Sequence, residues 1–424
     1  MFVLTDVRSD ARVIREAATL AAAGHEVTVM ARPTDPAASS GDVEIRDGFE
    51  IRRVPIPGRI RRAVVRRRTA AAPMLEVSRP RPARTAALLG NVMAGVRWLV
   101  RWQFGTTAWA SAAARLAPDA DVWHGHDVPG LAAAHRAMRR RGGLLVFDAH
   151  ELFFEAGATA RVPGWATVVA RRASRRSATA ADAIVTAYDA LASELAPLAR
   201  RPVLVVHNCP ARWTPPPQPE DLIRLAADIP PDSPVALYHG SFARFRGVDV
   251  LVAALGEPGL ERVHAVLMGV GRLGDDILAA AARPAVGGRV HVLPPVDPLA
   301  VPRWIAGADV GVMALSASTR NHLLTTPNKL FECIAAGVPV VASDFPGMRG
   351  VVAGDGAGSL GELCDPESPA DVARAIRSIV DAAPGDRAAL RARCLEAAHD
   401  RWNWELESAS LLRLYDDLAA SRAA

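Results

Sequence analysis

The stretch Thr325 to Gly347, TTPNKLFECIAAGVPVVASDFPG, concentrates side chains whose types and spacing suit an anion. Thr326 suits a helix N-cap, Pro327 the first helical position and Gly337 the C-terminal stop. At about 100° per residue, Asn328, Lys329 and Glu332 share one face of that helix, and Leu330, Phe331 and Ile334 share the opposite one. Free amides and the helix dipole suit phosphate oxygens, and Lys329 supplies charge. Glu332, one turn in, can accept hydrogen bonds from a pair of sugar hydroxyls. A solvated Lys–Glu pair at i,i+3 would give the same spacing. Two facts weigh against it. Lys329 is the sole lysine among 50 lysine and arginine residues, and a second basic turn occurs in LYHGSFARFRG, where Arg246 lies between Gly240 and Gly247.

The elements that would position these residues are strands alternating with helices. FVLT, EVTVMA, DVWHGHD, LLVFDAHE and AIVTA are short apolar runs, several of them ending in polar residues. ARVIREAATLAAAGH and LAAAHRAMRRRGG between them are helical and closed by glycine. The pattern restarts with PVALYHGSF, RVHAVLMGVG, RVHVLPPV, ADVGVMALS and VPVVASDFPG. Such alternation predicts parallel sheets, whose ligands sit beyond the carboxyl ends of the strands. A proline cluster, Pro215–Pro217 with Pro219, places a stiff hinge within 207–232. The expected domains are 1–207 and 208–404, with a helix at 405–424 returning to the first. FVLT is short enough to suggest a start upstream of Met1.

A chain of 424 residues is too long for one ordinary core, and half of it is hydrophobic, which makes it a folded protein. The excess of alanine and arginine over lysine is a high-GC coding signature. Cys209, Cys333, Cys364 and Cys394 form no CxxC, and no histidine cluster has metal-ligand spacing, so a reducing cytoplasmic compartment fits. The N-terminus has no apolar signal core, and no run is long enough to span a membrane. ALLGNVMAGVRWLVRWQFG, broken by Arg97 and Arg101, reads as a buried or interfacial helix. Arg52 to Arg84 holds eleven arginines against Glu76. It reads first as a solvated loop and second as a peripheral contact with an anionic membrane at its inner face; it lacks the aromatics and motifs of a nucleic-acid binder.

The motif TPNKLFECIAAGVPVVASDFPG resembles the donor-site helix of GT-B glycosyltransferases of the retaining family 4 group. DVRSDARVIREAATLAAAGHEVTVMA, DVWHGHDVPGLAAA, VFDAHELF, LYHGSFARFRGVDVLVAAL and RWNWELESASLLRLYDDL resemble further elements of that group in the same order, over nearly the whole chain. The resemblance implies an α/β fold of two facing Rossmann-like domains, with the C-terminal helix crossing back. It implies a nucleotide-diphosphate sugar bound by the C-terminal domain and an acceptor on the N-terminal one. Glu332 matches the ribose-binding glutamate, Asn328 and Lys329 face the donor phosphates beside Thr326, and Arg246 takes the place of a pyrophosphate-binding lysine near Gly240 and Ser241. His150 matches the histidine at the reacting centre, and Glu151 follows it. Arg246 with Lys329 would stand in for a divalent metal, so no cofactor and no metal site is expected. Retention in the family is described as front-face attack, without a protein nucleophile.

Three positions depart from the family pattern. Eight residues before Glu332, where a second glutamate is frequent, stands Leu324, so the donor sugar stays open. Ser241 replaces a frequent arginine. TDVRSDAR replaces a glycine-rich loop; Asp10 and Arg12 there could line the cleft, or cap a helix and make structural contacts. His126, with His124, follows a strand and could also reach the acceptor. His207 at the hinge reads as a tie between domains, His239 as core or support, and MGVGRLGDD as a strand-end turn. Trp98, Trp102 and Trp109 could frame a lipid-linked or a small natural-product acceptor. A saccharide or small molecule is favoured, because no clean membrane-binding face is visible. The alternatives are a nucleotide-sugar epimerase and a catalytically silent GT-B partner protein.

Overall fold

In the computed structural model the described residues are 1–8, 10–34, 43–56, 84–216, 220–298, 300–354 and 358–423. Most of the arginine-rich stretch, and Pro217 and Pro219 of the linker, lie outside them. The chain divides into two compact units: Met1–Val206 with Ser408–Ala424, and His207–Glu407.

The first unit is built on β1 (Thr28–Ala31), β2 (Val43–Arg46), β3 (Phe49–Arg53), β4 (Val122–His126), β5 (Leu144–Ala149), β6 (Ala183–Thr186) and β7 (Leu204–Val205). The orders are β1-β3-β2 and β4-β5-β6-β7. Phe2 joins the two groups by parallel bridges to Met30 and Gly125. The FVLT strand is thus reduced to one bridging residue, with Phe2 buried between both groups. All pairings are parallel except β2 with β3. That hairpin was not foreseen. Its turn is Asp47–Gly48, both at positive φ (46° and 81°), the signature of a two-residue loop.

Sequence patterning sets the helices. Ala11–Ala22 buries Val13, Ala17 and Leu20 at helical spacing and starts on Asp10, whose carboxylate accepts from the Val13 amide. Gly142, at φ 75°, closes Asp127–Arg141. Trp109, Leu131, Leu145 and Ile184 lie in the core. The final helix, Trp404–Ala423, buries Leu411, Tyr415 and Leu418.

The second unit carries β8 (Val235–Phe242), β9 (His264–Gly271), β10 (Val290–Leu293), β11 (Val310–Met313), β12 (Val340–Ser343) and β13 (Gly361–Cys364), all parallel, in the order β10-β9-β8-β11-β12-β13. Alternate residues of β8 enter different cores. Val235 and Leu237 pack with Phe331 and Ile334; Ala236 and Tyr238 pack with Val372 and Ile376. A sheet covered on both faces explains why these strands read as continuous apolar runs. All four cysteines are buried, and no disulfide is present among the described residues.

Candidate active site

In the second unit the polar residues gather where β8 ends and the helix Asn328–Ala335 begins. That helix starts one residue later than predicted. Pro327 is the N-cap, and the Thr326 hydroxyl donates instead to the Gly347 carbonyl (2.6 Å), fixing the approach to the helix. Leu330, Phe331 and Ile334 are buried, whereas Asn328 is exposed and Lys329 and Glu332 are half-buried, which is the predicted division of faces. Gly337 ends the helix at φ 70°.

Lys329 makes no surface pair with Glu332. Its Nζ stands 3.7 Å from the centre of the Tyr238 ring and carries no salt bridge among the described residues. The Tyr238 hydroxyl is turned away, donating to the Ser241 carbonyl (2.7 Å). Burial first, and the neighbouring Arg246 guanidinium second, hold the Lys329 ammonium down to about 7. A Cβ on Gly240, which has φ +117°, would stand 3.4 Å from that Nζ. Glycine therefore keeps the backbone open beside the ammonium. Gly269 has a different reason: a Cβ there would overlap the Gly240 carbonyl, so the MGVG glycines serve strand packing. Arg246 forms no ion pair with any described carboxylate either. Two cations without a salt bridge among the described residues, helix amides and a glycine-lined backbone thus lie together.

Glu332 is held by His239, whose Nε2 lies 2.8 Å from Glu332 Oε2. The two stand 93 residues apart, and His239 is thereby a positioning residue. His207 has a carboxylate partner from the second unit, Glu407. Its ring and amide nitrogens lie 2.9 and 2.8 Å from the two oxygens of Glu407, within the second unit, and its ring packs on Phe331 and Trp402 behind the helix.

In the first unit, Arg12 does not line a surface. It is buried, with Nε and Nη2 2.8 and 2.9 Å from the two oxygens of Asp148, and Nη1 2.5 Å from the Val206 carbonyl. Its Nε is also 3.0 Å from Glu16 Oε1, one helical turn on. Asp10 is an N-cap that also accepts from the Thr5 hydroxyl (3.1 Å), so helix capping is its observed work. Asp148 Oδ2 lies 3.1 Å from both His126 Nδ1 and His150 Nε2. Burial would raise the Asp148 carboxyl, but Arg12 and then His150 hold it well below the usual carboxylate range.

His126 and His124 are both buried and stacked, ring centres 4.5 Å apart, and His124 Nδ1 lies 2.8 Å from the Tyr415 hydroxyl. They are interior groups, each 1% exposed. His150 reaches the surface, with its side chain 18% exposed, as does Asp127 beside it. Its amide donates to Asp127 Oδ1 (3.0 Å). Asp127 opens its helix at φ 52°, a costly conformation for a non-glycine residue. Burial alone would depress the imidazole; the Asp127 and Asp148 carboxylates outweigh it and hold His150 up to about 10. His150 is therefore an imidazolium near neutral pH, a hydrogen-bond donor and not a base. Glu151, next in sequence, is half-buried.

Sequence reading missed Glu16, Asp148 and Asp127. Glu16 follows Arg12 at i+4, and both belong to one buried helix face, a signal that charge alone disguised as a solvated pair. Burial and then Asp148 raise the Glu16 carboxyl to about 8. Glu16, His124, His126 and Asp148 bring one ligand-type atom each within 4.8 Å of one another. The expectation of no metal-ligating cluster thus holds for sequence spacing only; folding assembles a group able to hold a cation. Trp109 is fully buried, and Trp98 stacks on Trp102 (5.3 Å) against Phe153 and Phe154, with Trp98 and Trp102 half-buried.

Two units of mainly parallel sheet with helices between the strands, one with a cationic strand-end site, define the GT-B class of α/β proteins. A glycosyl transferase 4-like domain model matches residues 10–210, and a glycosyl transferases group 1 model matches residues 233–382. The chain belongs to the family 4-like glycosyltransferases. Over 219 residues it is 34% identical to a D-inositol 3-phosphate glycosyltransferase of Xylanimonas cellulosilytica, a match covering 49% of each chain, so about half the length of that relative. Its fold is similar to sucrose-phosphate synthase from Thermosynechococcus elongatus (TM-score 0.66, 20% identity, 97% of this chain and 93% of that one). It is also similar to Anabaena HepE in complex with UDP-glucose (TM-score 0.62, 14% identity, 98% of each chain).

Proposed function

We propose that the chain transfers a sugar, with retention of anomeric configuration and without a catalytic metal, from a nucleoside-diphosphate sugar to a saccharide or small-molecule acceptor. The observation that carries this reading is the pair Arg246 and Lys329, two cations without carboxylate partners beside the amides of Asn328–Ala335. As the glycosidic bond breaks, the leaving diphosphate gains negative charge. Fixed cations at its oxygens stabilise that charge most in the transition state, by several kcal/mol in order of magnitude. They supply what a divalent ion would otherwise provide.

Glu332, oriented by His239, accepts hydrogen bonds from the ribose hydroxyls. Asn328, exposed at the first turn, and the backbone of Gly240 and Ser241 complete the phosphate contacts. His150 serves as a cationic donor to substrate oxygen, with Glu151 beside it to receive hydroxyls. The UDP-glucose complex of HepE supports a nucleotide-sugar donor. Four buried cysteines without a disulfide among the described residues support a reducing cytoplasmic setting.

The test is a thermal-shift screen with UDP-, GDP-, dTDP- and ADP-sugars, each with and without EDTA. One nucleotide sugar raises the melting temperature by several degrees, and EDTA leaves that shift unchanged. No shift from any of the four, in protein shown to be folded, sinks the proposal; a shift abolished by EDTA removes metal independence from it.

A further inference from the structure

The helix Arg84–Arg101 does not behave as a buried amphipathic element. One side is firmly anchored: Trp98 stacks on Trp102, which meets Phe153 and Phe154. The other side is apolar and bare. Leu89, Val92, Met93, Val96, Val100 and, just beyond the helix, Phe104 are each 40–66% exposed. At about 100° per residue the five helical positions fall within one half of the circumference. Gly95 marks the edge of this stripe, where a Cβ would overlap the ring of Trp165. Trp165 belongs to the helix Gly164–Thr179, which adds exposed Val168 and Val169 to the same apolar surface.

The two segments that carry it have charge of one sign. From Val77 to Pro118, and from Ala156 to Ala181, the sequence contains no aspartate or glutamate. Arg97 and Arg101 flank the stripe, and Arg172, Arg175 and Arg176 continue the outer face of the second helix; all five are exposed. Arg171 is the exception, paired with Glu155 at 2.9 Å. Contiguous apolar surface of this extent marks a docking site, not an ordinary exterior. Two anchored helices presenting aliphatic and tryptophan side chains, carrying exposed arginines and no acidic residue of their own, match an interfacial surface for anionic lipid. No helix among the described residues is long and apolar enough to cross a membrane, so the surface would lie on the bilayer and not span it.

We propose that the outer faces of Arg84–Arg101 and Gly164–Thr179 seat the protein on an anionic phospholipid bilayer, the aliphatic side chains entering the acyl boundary and the arginines meeting the headgroups. No clean membrane-binding face is visible in the sequence, and this surface is a candidate for one. It relocates the contact from the arginine-rich stretch 52–84 to a folded surface. It stands independently of the sugar-transfer reading.

The test is sedimentation of the full chain with large unilamellar vesicles of phosphatidylcholine alone and of phosphatidylcholine with 30% phosphatidylglycerol. Binding to the anionic vesicles should exceed binding to the neutral ones at least tenfold and weaken with salt. Val92→Glu with Val96→Glu, and separately Arg172→Glu with Arg176→Glu, should each lower it at least tenfold while melting temperature and nucleotide-sugar response match the parent. Equal binding to both vesicles, no binding, or binding unchanged in both variants overturns the proposal. So does a micromolar dimer, seen by light scattering, that Val92→Glu with Val96→Glu dissociates, since the face would then belong to a second copy. Vesicle binding in a protein with no nucleotide-sugar response leaves this surface standing and defeats the transfer reading alone.

Discussion

Lys329 illustrates how one residue type can be required where charge alone is not. Arginine supplies almost every other cation in the chain, including Arg246. At Lys329 the cation must fit between the face of Tyr238 and the open backbone of Gly240, a space suited to a compact ammonium and not to a planar guanidinium. The sequence showed that this lysine is unusual and on which helix face it lies. It could not show the aromatic platform, because Tyr238 comes from a strand that approaches only in three dimensions. His150 is the other residue with a measurable signature. Its folded-state pKa, near 10, lies above its ordinary 6.5. The stability it contributes is therefore complete below about pH 6.5 and lost as pH rises through about 10. Lys329, shifted down to about 7, has the opposite sign: its penalty is present at low pH and relieved between about 7 and its ordinary 10.5. Urea denaturation at pH 7 and pH 10 separates the two. His150→Ala should lose less stability than the parent across that interval, and an unchanged or larger loss would contradict the imidazolium assignment.

At the scale of elements, the sequence was legible wherever local chemistry decides the outcome. Asp-Gly turns, glycine stops and apolar periodicity are local, and the helix Asn328–Ala335 and the strands around it were foreseen to within a residue or two. The β2–β3 hairpin carried its own Asp47–Gly48 signal and was still overlooked, because the strand–helix alternation on either side suggested only parallel pairing. The buried network was not legible. Arg12, Asp148 and Val206 are brought together across 136 and 194 residues by sheet order, which no local pattern encodes. Asp10 offers a direct test at this scale. As an N-cap it should be worth about 1 kcal/mol, so Asp10→Ala should lower stability by that amount in chemical denaturation. Nucleotide-sugar affinity should stay at the parental value; a stable variant with weakened binding would restore Asp10 to the ligand.

The whole molecule consists of two units, and the chain's last segment belongs to the first of them. Leu411, Tyr415 and Leu418 are buried there, and Tyr415 meets His124. Removing residues 408–424 should therefore expose the first unit selectively. In hydrogen exchange, β4 and β5 should lose protection while Asn328–Ala335 keeps it; protection lost equally in both units would show that they do not fold as separate bodies. The helix Arg84–Arg101 shows why composition misleads at this scale. Arginines within an apolar run suggested a broken hydrophobic segment, whereas folding sorts aromatic rings inward and aliphatic side chains outward.

The central claim, that Lys329 and Arg246 hold a nucleoside diphosphate, is tested most directly by calorimetric titration of the diphosphate of the donor identified by the screen. The parent and Lys329→Ala would be compared at pH 6.5 and pH 8.5. Because the free ammonium titrates near 7 and a bound diphosphate favours its charged form, the parent should take up protons on binding at pH 8.5. Its affinity should fall between the two pH values, and Lys329→Ala should bind at least tenfold more weakly at pH 6.5 with a flatter pH dependence. Equal affinities for the two proteins at pH 6.5, in a variant that melts like the parent, would contradict the account.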